Sequence, residues 1–237
     1  MLLLKAGVRK RRKTGEKKAA SKGQQTRAAI VEEALRIASA EGLAAVTIGR
    51  LASELKMSKS GLFAHFRSKE ALELETVALA RTVFAAQVLI PAEATRPGLE
   101  NLWNLCHFWL EHIEEHVFRG AYFFAGAFFE HARKGGAVGR EIRRAVKEWL
   151  DALQGAMKEA QRRKELDREA DAEQTAFDLN GLLLGVYWAR LMGQWGALDQ
   201  ARDKVLGKFR ALATEEVPAK AFRSVGAFRR YLKEKHA

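Results

Sequence analysis

The sequence predicts an all-α protein: an N-terminal three-helix helix-turn-helix unit followed by a larger helical domain. Three observations carry that fold class. Apolar residues recur at i, i+3, i+4 and i+7 through most of the 237 residues, while the alternation of half-buried strands is scarce. Only three prolines interrupt the chain. One stretch, Thr47 to Lys69, also carries two short helical signals joined by a polar turn. The length allows one large or two modest domains with a sizeable core.

Residues 1–23 hold nine basic side chains against Glu16 alone, with no apolar pattern. They read as a disordered basic arm, drawn to phosphate by counterion release, or as a solvated tail with no specific role. The formal net charge of +12 is concentrated there, since residues 24–86 hold eight basic and seven acidic side chains. A first helix is expected from Thr26 or Arg27 to about Glu41. Ile30, Ala34, Ile37 and Ala38 share one face of it, and Gly42 ends it.

Ile48, Leu51, Ala52 and Leu55 then line a two-turn helix that Thr47 caps. Lys56 and Met57 break the pattern, and Ser58 caps the next helix, anchored by Leu62, Phe63 and Phe66. Two helices joined this closely make a helix-turn-helix over about 47–66, within a unit spanning 24–84. Its second helix can enter a DNA major groove. On that helix Lys59 is the one long cation, able to reach a guanine edge or a phosphate, and Ser60 can bond either. Gly61 permits close approach of DNA or a tight helix contact; the residue type allows both.

Ser68-Lys69-Glu70 starts a fourth helix running to about Val88, with Leu72, Thr76, Leu79 and Val83 at helical spacing. Pro91, Pro97 and Gly98 mark a linker. From Leu99 to His131, nine aromatic rings crowd an acidic segment, more than one helix face can hold. They make either a bulky core or a ring-lined pocket in a domain spanning 85–216. The candidate lining is Trp103, Cys106, His107, Leu110, Tyr122, Phe123 and Phe128, with Cys106, His107 and Tyr122 as polar anchors.

A long helix is expected from about Val138 to Lys164, its basic residues interspersed with acids on a solvated face. In the next, Asp171 to Gly193, Gly181, Gly185 and Ala189 form a small-residue stripe flanked by Leu182, Leu184, Trp188 and Leu191. Val205, Leu206, Phe209 and Leu212 mark a last strong amphipathic helix. Residues 217–237 read as a basic tail without an assignable role.

Thr26-Arg27, Glu41-Gly42 and the run from Met57-Ser58-Lys59-Ser60-Gly61-Leu62-Phe63-Ala64-His65-Phe66-Arg67 to Ser68-Lys69-Glu70 resemble the amino-terminal domain of TetR-family transcriptional regulators. The resemblance covers residues 24 to 84. It implies that Thr47, Lys56, Ser58, Phe63, His65 and Lys69 contact phosphates or flank the bases that are read. Phe63 departs from the family, which usually has tyrosine there; without the hydroxyl it is expected to pack. His65 either donates to a phosphate or caps its helix.

The resemblance further implies a fourth helix that transmits movement and a homodimer sealed by the last two helices. Gly181, Gly185, Trp188, Ala189, Val205 and Phe209 are the candidate interface, though packing within one chain suits the same stripe. The implied function is repression from a palindromic operator of double-stranded DNA, relieved by a small, mostly apolar effector. A non-specific, architectural DNA binder driven by basic tails is the rival.

Cys106 is the lone cysteine, which excludes an intramolecular disulfide framework. The apolar runs at 121–129 and 181–189 are too short to span a bilayer, and Met1-Leu2-Leu3-Leu4 precedes its charges rather than following them. A soluble, cytoplasmic chain is expected. His112-Ile113-Glu114-Glu115-His116 fits the H-x-x-E-H zinc-peptidase pattern, but no third ligand accompanies it. No nucleophile-base pair or phosphate-binding glycine loop stands out. The expectation is no enzyme, no metal and no cofactor.

Overall fold

The computed structural model describes residues 21–114, 123–131, 135–194 and 196–235, and the described residues fold into helices. Helix α1 (Lys22–Glu41) starts earlier than its apolar pattern suggests, because Ser21 and Gln24 form a reciprocal capping box. Lys22 and Gly23 therefore belong to α1 and not to the basic arm, whose residues 1–20 lie outside the described residues.

A 3-10 turn (Leu43–Ala45) leads to α2 (Ile48–Glu54), and α3 (Lys59–His65) follows. Hydroxyls cap both helices: Thr47 Oγ1 accepts from Arg50 N at 3.2 Å, and Ser58 Oγ from Gly61 N at 3.0 Å. Between them α2 closes with Lys56 in the left-handed region (φ 52°), while Met57 N donates to Ala52 O at 2.8 Å. Ile30, Ile37, Leu43, Leu51, Leu62 and Phe66, all fully buried, form the core of this unit.

Helix α4 (Lys69–Phe84) packs on α1 and, farther along, on α8 (Gly136–Arg162). It does not end near Val88. A π turn (Ala85–Leu89) carries it into α5 (Ile90–Glu93), so Pro91 sits inside the helical run and the linker shrinks to the residues just before Leu99. Pro91 has no N–H to offer the Gln87 carbonyl, and the widened turn immediately ahead of it absorbs that mismatch. Among the described residues, Lys69–Glu93 is the one helical run long and apolar enough to cross a membrane by length and composition. Its packing between α1 and α8 makes it the rod joining the two domains.

The second domain comprises α6 (Leu99–Glu114), α7 (Phe123–His131), α8, α9 (Ala172–Leu191) and α10 (Ala197–Leu212). Trp149 of α8 lies in its core and donates Nε1–H to Asn180 Oδ1 of α9 at 3.0 Å. Residues 217–235 are no tail. A 3-10 turn (Ala219–Arg223) and α11 (Val225–Glu234) fold back, and Phe228 lies buried 5.2 Å from the Trp103 ring and 5.3 Å from Phe222. Phe228 and Leu232 are the inward face of an amphipathic helix whose arginines stay in water.

His112 of α6 is buried, with Nδ1 2.6 Å from Gln87 Oε1 in the π turn and its ring edge-on to Phe84. Burial holds its pKa down at about 4, against 6.5 unfolded. Between those values the unfolded chain binds the extra proton, so stability is full above pH 6.5 and falls as pH drops toward 4. The loss amounts to about 3 kcal/mol. Urea melts at pH 7 and pH 4.5 should show it together with a like drop from buried His107, and His112→Asn, which keeps a donor toward Gln87, should remove the His112 share. Equal pH sensitivity in that variant would refute the assignment.

Candidate nucleic-acid interface

On α3, Leu62 and Phe66 take the inward positions, which turns Lys59, Ser60, Phe63 and Ala64 to solvent. Phe63 is 52% exposed, so the expectation that it packs is wrong: it stands about 100° round the helix from buried Leu62, which turns it to solvent. Gly61 is half-buried, and its amide is held by Ser58, whose hydroxyl also lies 3.2 Å from that of Ser60. Gly49, at the first turn of α2, lies beside the Lys59 stem: a Cβ there would stand 3.7 Å from Lys59 Cε, in ordinary van der Waals contact. Thr47, Lys56, Ser58, Arg67 and Lys69 are exposed around this face. Gly49, Ala64 and Arg67 were not singled out from sequence; Arg67 had a signal in its charge just past the reading helix, while the two small residues had none.

The near-neutral charge of this unit is unevenly used. Arg27 donates to Glu75 and to the His65 carbonyl and lies 4.2 Å over the Phe66 ring, bolting α1 to α3 and α4. Thus His65, half-buried, is bound through its backbone to α1. Arg36 pairs with Glu33, Arg81 with Glu148, and Arg50 grips Glu41 through two 2.6 Å bonds that hold that carboxyl below its usual range. Lys69 pairs with Glu73 at 3.5 Å. Lys56, Lys59 and Arg67 have no ion pair among the described residues, and all three lie on or beside the reading face. Acid partners thereby cancel cations elsewhere and leave the positive potential at α3.

In the second domain a cavity of about 300 Å³ opens between α4 and α8. Phe84, Ala85 and Leu89 of the π region line it with Phe124 and Ala145, and the Arg81–Glu148 pair (2.8 and 2.7 Å) crosses its rim. The ring residues expected to share a pocket split into two groups instead. Trp103, Cys106 and Leu110 are buried in α6, and Trp103 is covered by Phe209 and Phe228. Burial pushes the Cys106 thiol up to about 12, so it is a small apolar filler.

His107 stacks on Trp103 and faces Arg229 of α11 at 2.8 Å; burial, then that guanidinium, hold its pKa near 4. Phe123 packs edge-on to Phe124, and Phe128 edge-on to Phe129. Tyr122 lies outside the described residues. None of the expected residues that are described lines the cavity; Phe124 does.

Two family models match consecutive parts of the chain: bacterial regulatory proteins of the tetR family over residues 30–76, and the tetracyclin repressor-like C-terminal domain over 98–205. The chain belongs to the TetR family. It is a DNA-binding transcriptional regulator, a class without enzymatic activity. No curated protein sequence matches it.

Solved structures share the fold. A TetR regulator from Chloroflexus aurantiacus is 19% identical, with 81% of this chain and 98% of that one covered at a TM-score of 0.75. A transcriptional regulator from Saccharomonospora viridis, in complex with choline, is 23% identical over 81% and 99% at 0.66. AibR, in complex with isovaleryl coenzyme A and operator DNA, is 22% identical over 79% and 97% at 0.61.

In this TetR chain the small-residue stripe of α9 is open. Gly181 and Gly185 are exposed, a Cβ on either would meet nothing within 4 Å, and Trp188 is 49% exposed with Phe177, Leu191 and Met192 also turned outward. Ala189 is half-buried. Val205 and Phe209, grouped with this stripe from sequence, are buried inside their own chain; the outer face of α10 presents Gly207 and Ala211 instead. The H-x-x-E-H match is described only in part. His112 is buried toward Gln87, Glu114 points to Arg202 at 2.8 Å, and Glu115 and His116 lie outside the described residues. No group of three potential ligands that could hold a metal occurs among the described residues.

Proposed function

We propose that this regulator is a homodimeric repressor. Its two α3 helices enter successive major grooves of a palindromic operator, and a small, mostly apolar ligand releases it. The observation that carries the reading is the segregation of charge: apart from Lys22 at the start of α1, every basic residue of the reading unit without an acid partner among the described residues lies on or beside α3. Two-fold symmetry would set the half-sites about 34–36 Å apart. Lys59 would take a guanine edge, and exposed Phe63 a thymine methyl, an apolar contact that replaces the phosphate bond of a tyrosine. Ser58, Ser60, Thr47, Lys56 and Lys69 would hold phosphates. The open α9 stripe would seat a second copy.

The cavity between α4 and α8 is the proposed effector site. Its walls are mostly apolar, with one charge of each sign at the rim. The ligands held by the two similar regulators, isovaleryl coenzyme A and choline, likewise join carbon groups to charge. A ligand here acts by preferring the conformation that does not fit DNA; a tenfold loss of operator affinity needs about 1.4 kcal/mol of preference.

Selection of bound fragments from a random-sequence DNA pool tests the reading. The expected result is an enriched palindrome, with Lys59→Ala relaxing preference at one position per half-site by about 1–3 kcal/mol. Equal binding of selected and shuffled duplexes at physiological salt would leave only the architectural rival.

A further inference from the structure

The turn that delivers the chain into the reading unit is capped from the other domain. Leu43 and Ala44 carry the first free amides of the 3-10 turn, and its N-cap is Gly42, which has no side chain to accept from them. The carboxylate of Glu130 on α7 takes both: Oε1 accepts from Leu43 N at 3.1 Å and Oε2 from Ala44 N at 3.0 Å. Gly42 is shaped to this contact. Its φ of 87° lies in the left-handed region, and a Cβ there would collide with Glu130 Oε1.

Three residues beyond Ala44 stands Thr47, the cap of α2, on which α3 packs. The turn therefore sets where the helix-turn-helix begins. Helix α7 is also tied to the rest of its own domain. Phe123, Phe124 and Ala127 are buried, the helix lies on α8, and the neighbouring residue Phe129 sets its ring 5.9 Å from Trp188 on the open α9 face.

We propose that Glu130 is a positioning residue for DNA recognition: through two backbone amides it fixes the entry to the helix-turn-helix relative to the second domain. Movement of α7 then re-aims α2 and α3 without touching a base-reading side chain. Gly42 is its obligatory counterpart. The proposal rests on α3 reading DNA, and it extends that reading to a residue 87 positions away from the turn it holds.

The experiment uses the full chain as wild type, Glu130→Ala, Glu130→Gln and Gly42→Ala. Hydrogen exchange of the 42–46 segment is measured, together with affinity for a duplex that wild type selects from a random pool and for its shuffled version. Glu130→Ala should exchange the segment about tenfold faster, keep its helicity, and bind the selected duplex about tenfold more weakly with shuffled-duplex binding unchanged. Glu130→Gln, with one acceptor oxygen left, should fall between. Gly42→Ala should match Glu130→Ala, and the double variant should lose no more than either.

Wild-type exchange and wild-type affinity in Glu130→Ala would overturn the proposal, as would equal loss on selected and shuffled DNA. If wild type enriches no sequence, the operator reading fails instead. The exchange arm then still decides whether Glu130 holds the turn.

Discussion

Phe228→Ala is expected to cost about 3–5 kcal/mol of folding stability, a large share of the 5–15 kcal/mol typical of a domain. The ring has no exposed surface and sits among Trp103, Phe209, Phe222 and Tyr231. Truncation would leave a void lined by rings that cannot all move in to fill it. Urea unfolding followed by tryptophan fluorescence measures the loss, because Trp103 is one of the walls. Arg230→Ala, exposed on the same helix, should change stability by no more than about 0.5 kcal/mol. A Phe228→Ala protein as stable as its parent would mean that the last helix is an appendage and not part of the core.

Gly185→Arg should separate the proposed dimer while sparing the fold. A Cβ at Gly185 meets nothing within 4 Å inside its own chain, and the surrounding α9 surface is exposed. An arginine there costs the monomer only the small change in helix propensity, which favours it over glycine. Between two copies it would hold the helices apart and bury a charge without a partner. Sedimentation should move from dimer to monomer at micromolar concentration with the melting temperature retained. Operator affinity should then fall about a hundredfold, since the second half-site is no longer reached within one complex. A dimer that survives this change uses another face.

Local signals were legible where residue type and spacing act together. Thr47, Ser58 and Ser68 each cap the helix that follows them, because a short hydroxyl before an apolar period has few other uses. The direction of Lys59 and Ser60 followed from the anchors Leu62 and Phe66. Phe63 was misjudged because residue type said core, while its helical phase put it outside.

Long-range partners left no local trace. Glu130 reads in the sequence as one more acid near a helix end. The role of Arg27 depends on Glu75, 48 residues on. The ring-rich stretch is ambiguous for a related reason: composition counts rings but does not say which face each one takes, so two separate clusters resembled one pocket. The carboxy-terminal helix left a weak signal because four charges are interleaved with its apolar residues, yet buried Phe228 and Leu232 seat it on the core.

The π turn between α4 and α5 has a consequence for how the two domains share one rod. Ala80, Phe84, Val88 and Ala92 are all buried at successive steps of four. In a regular α-helix each such step overshoots by about 40°, so the seam would spiral off the contact after two turns. The wide turn takes up that drift and keeps a single line of contact from the DNA-reading end to α6. Were one residue removed from Ala85–Leu89, local hydrogen bonding would improve, but everything beyond would be rotated by roughly a quarter of a circle. The irregular turn thus works as a phase corrector: the two ends of the rod stay in register because its middle is not a regular helix.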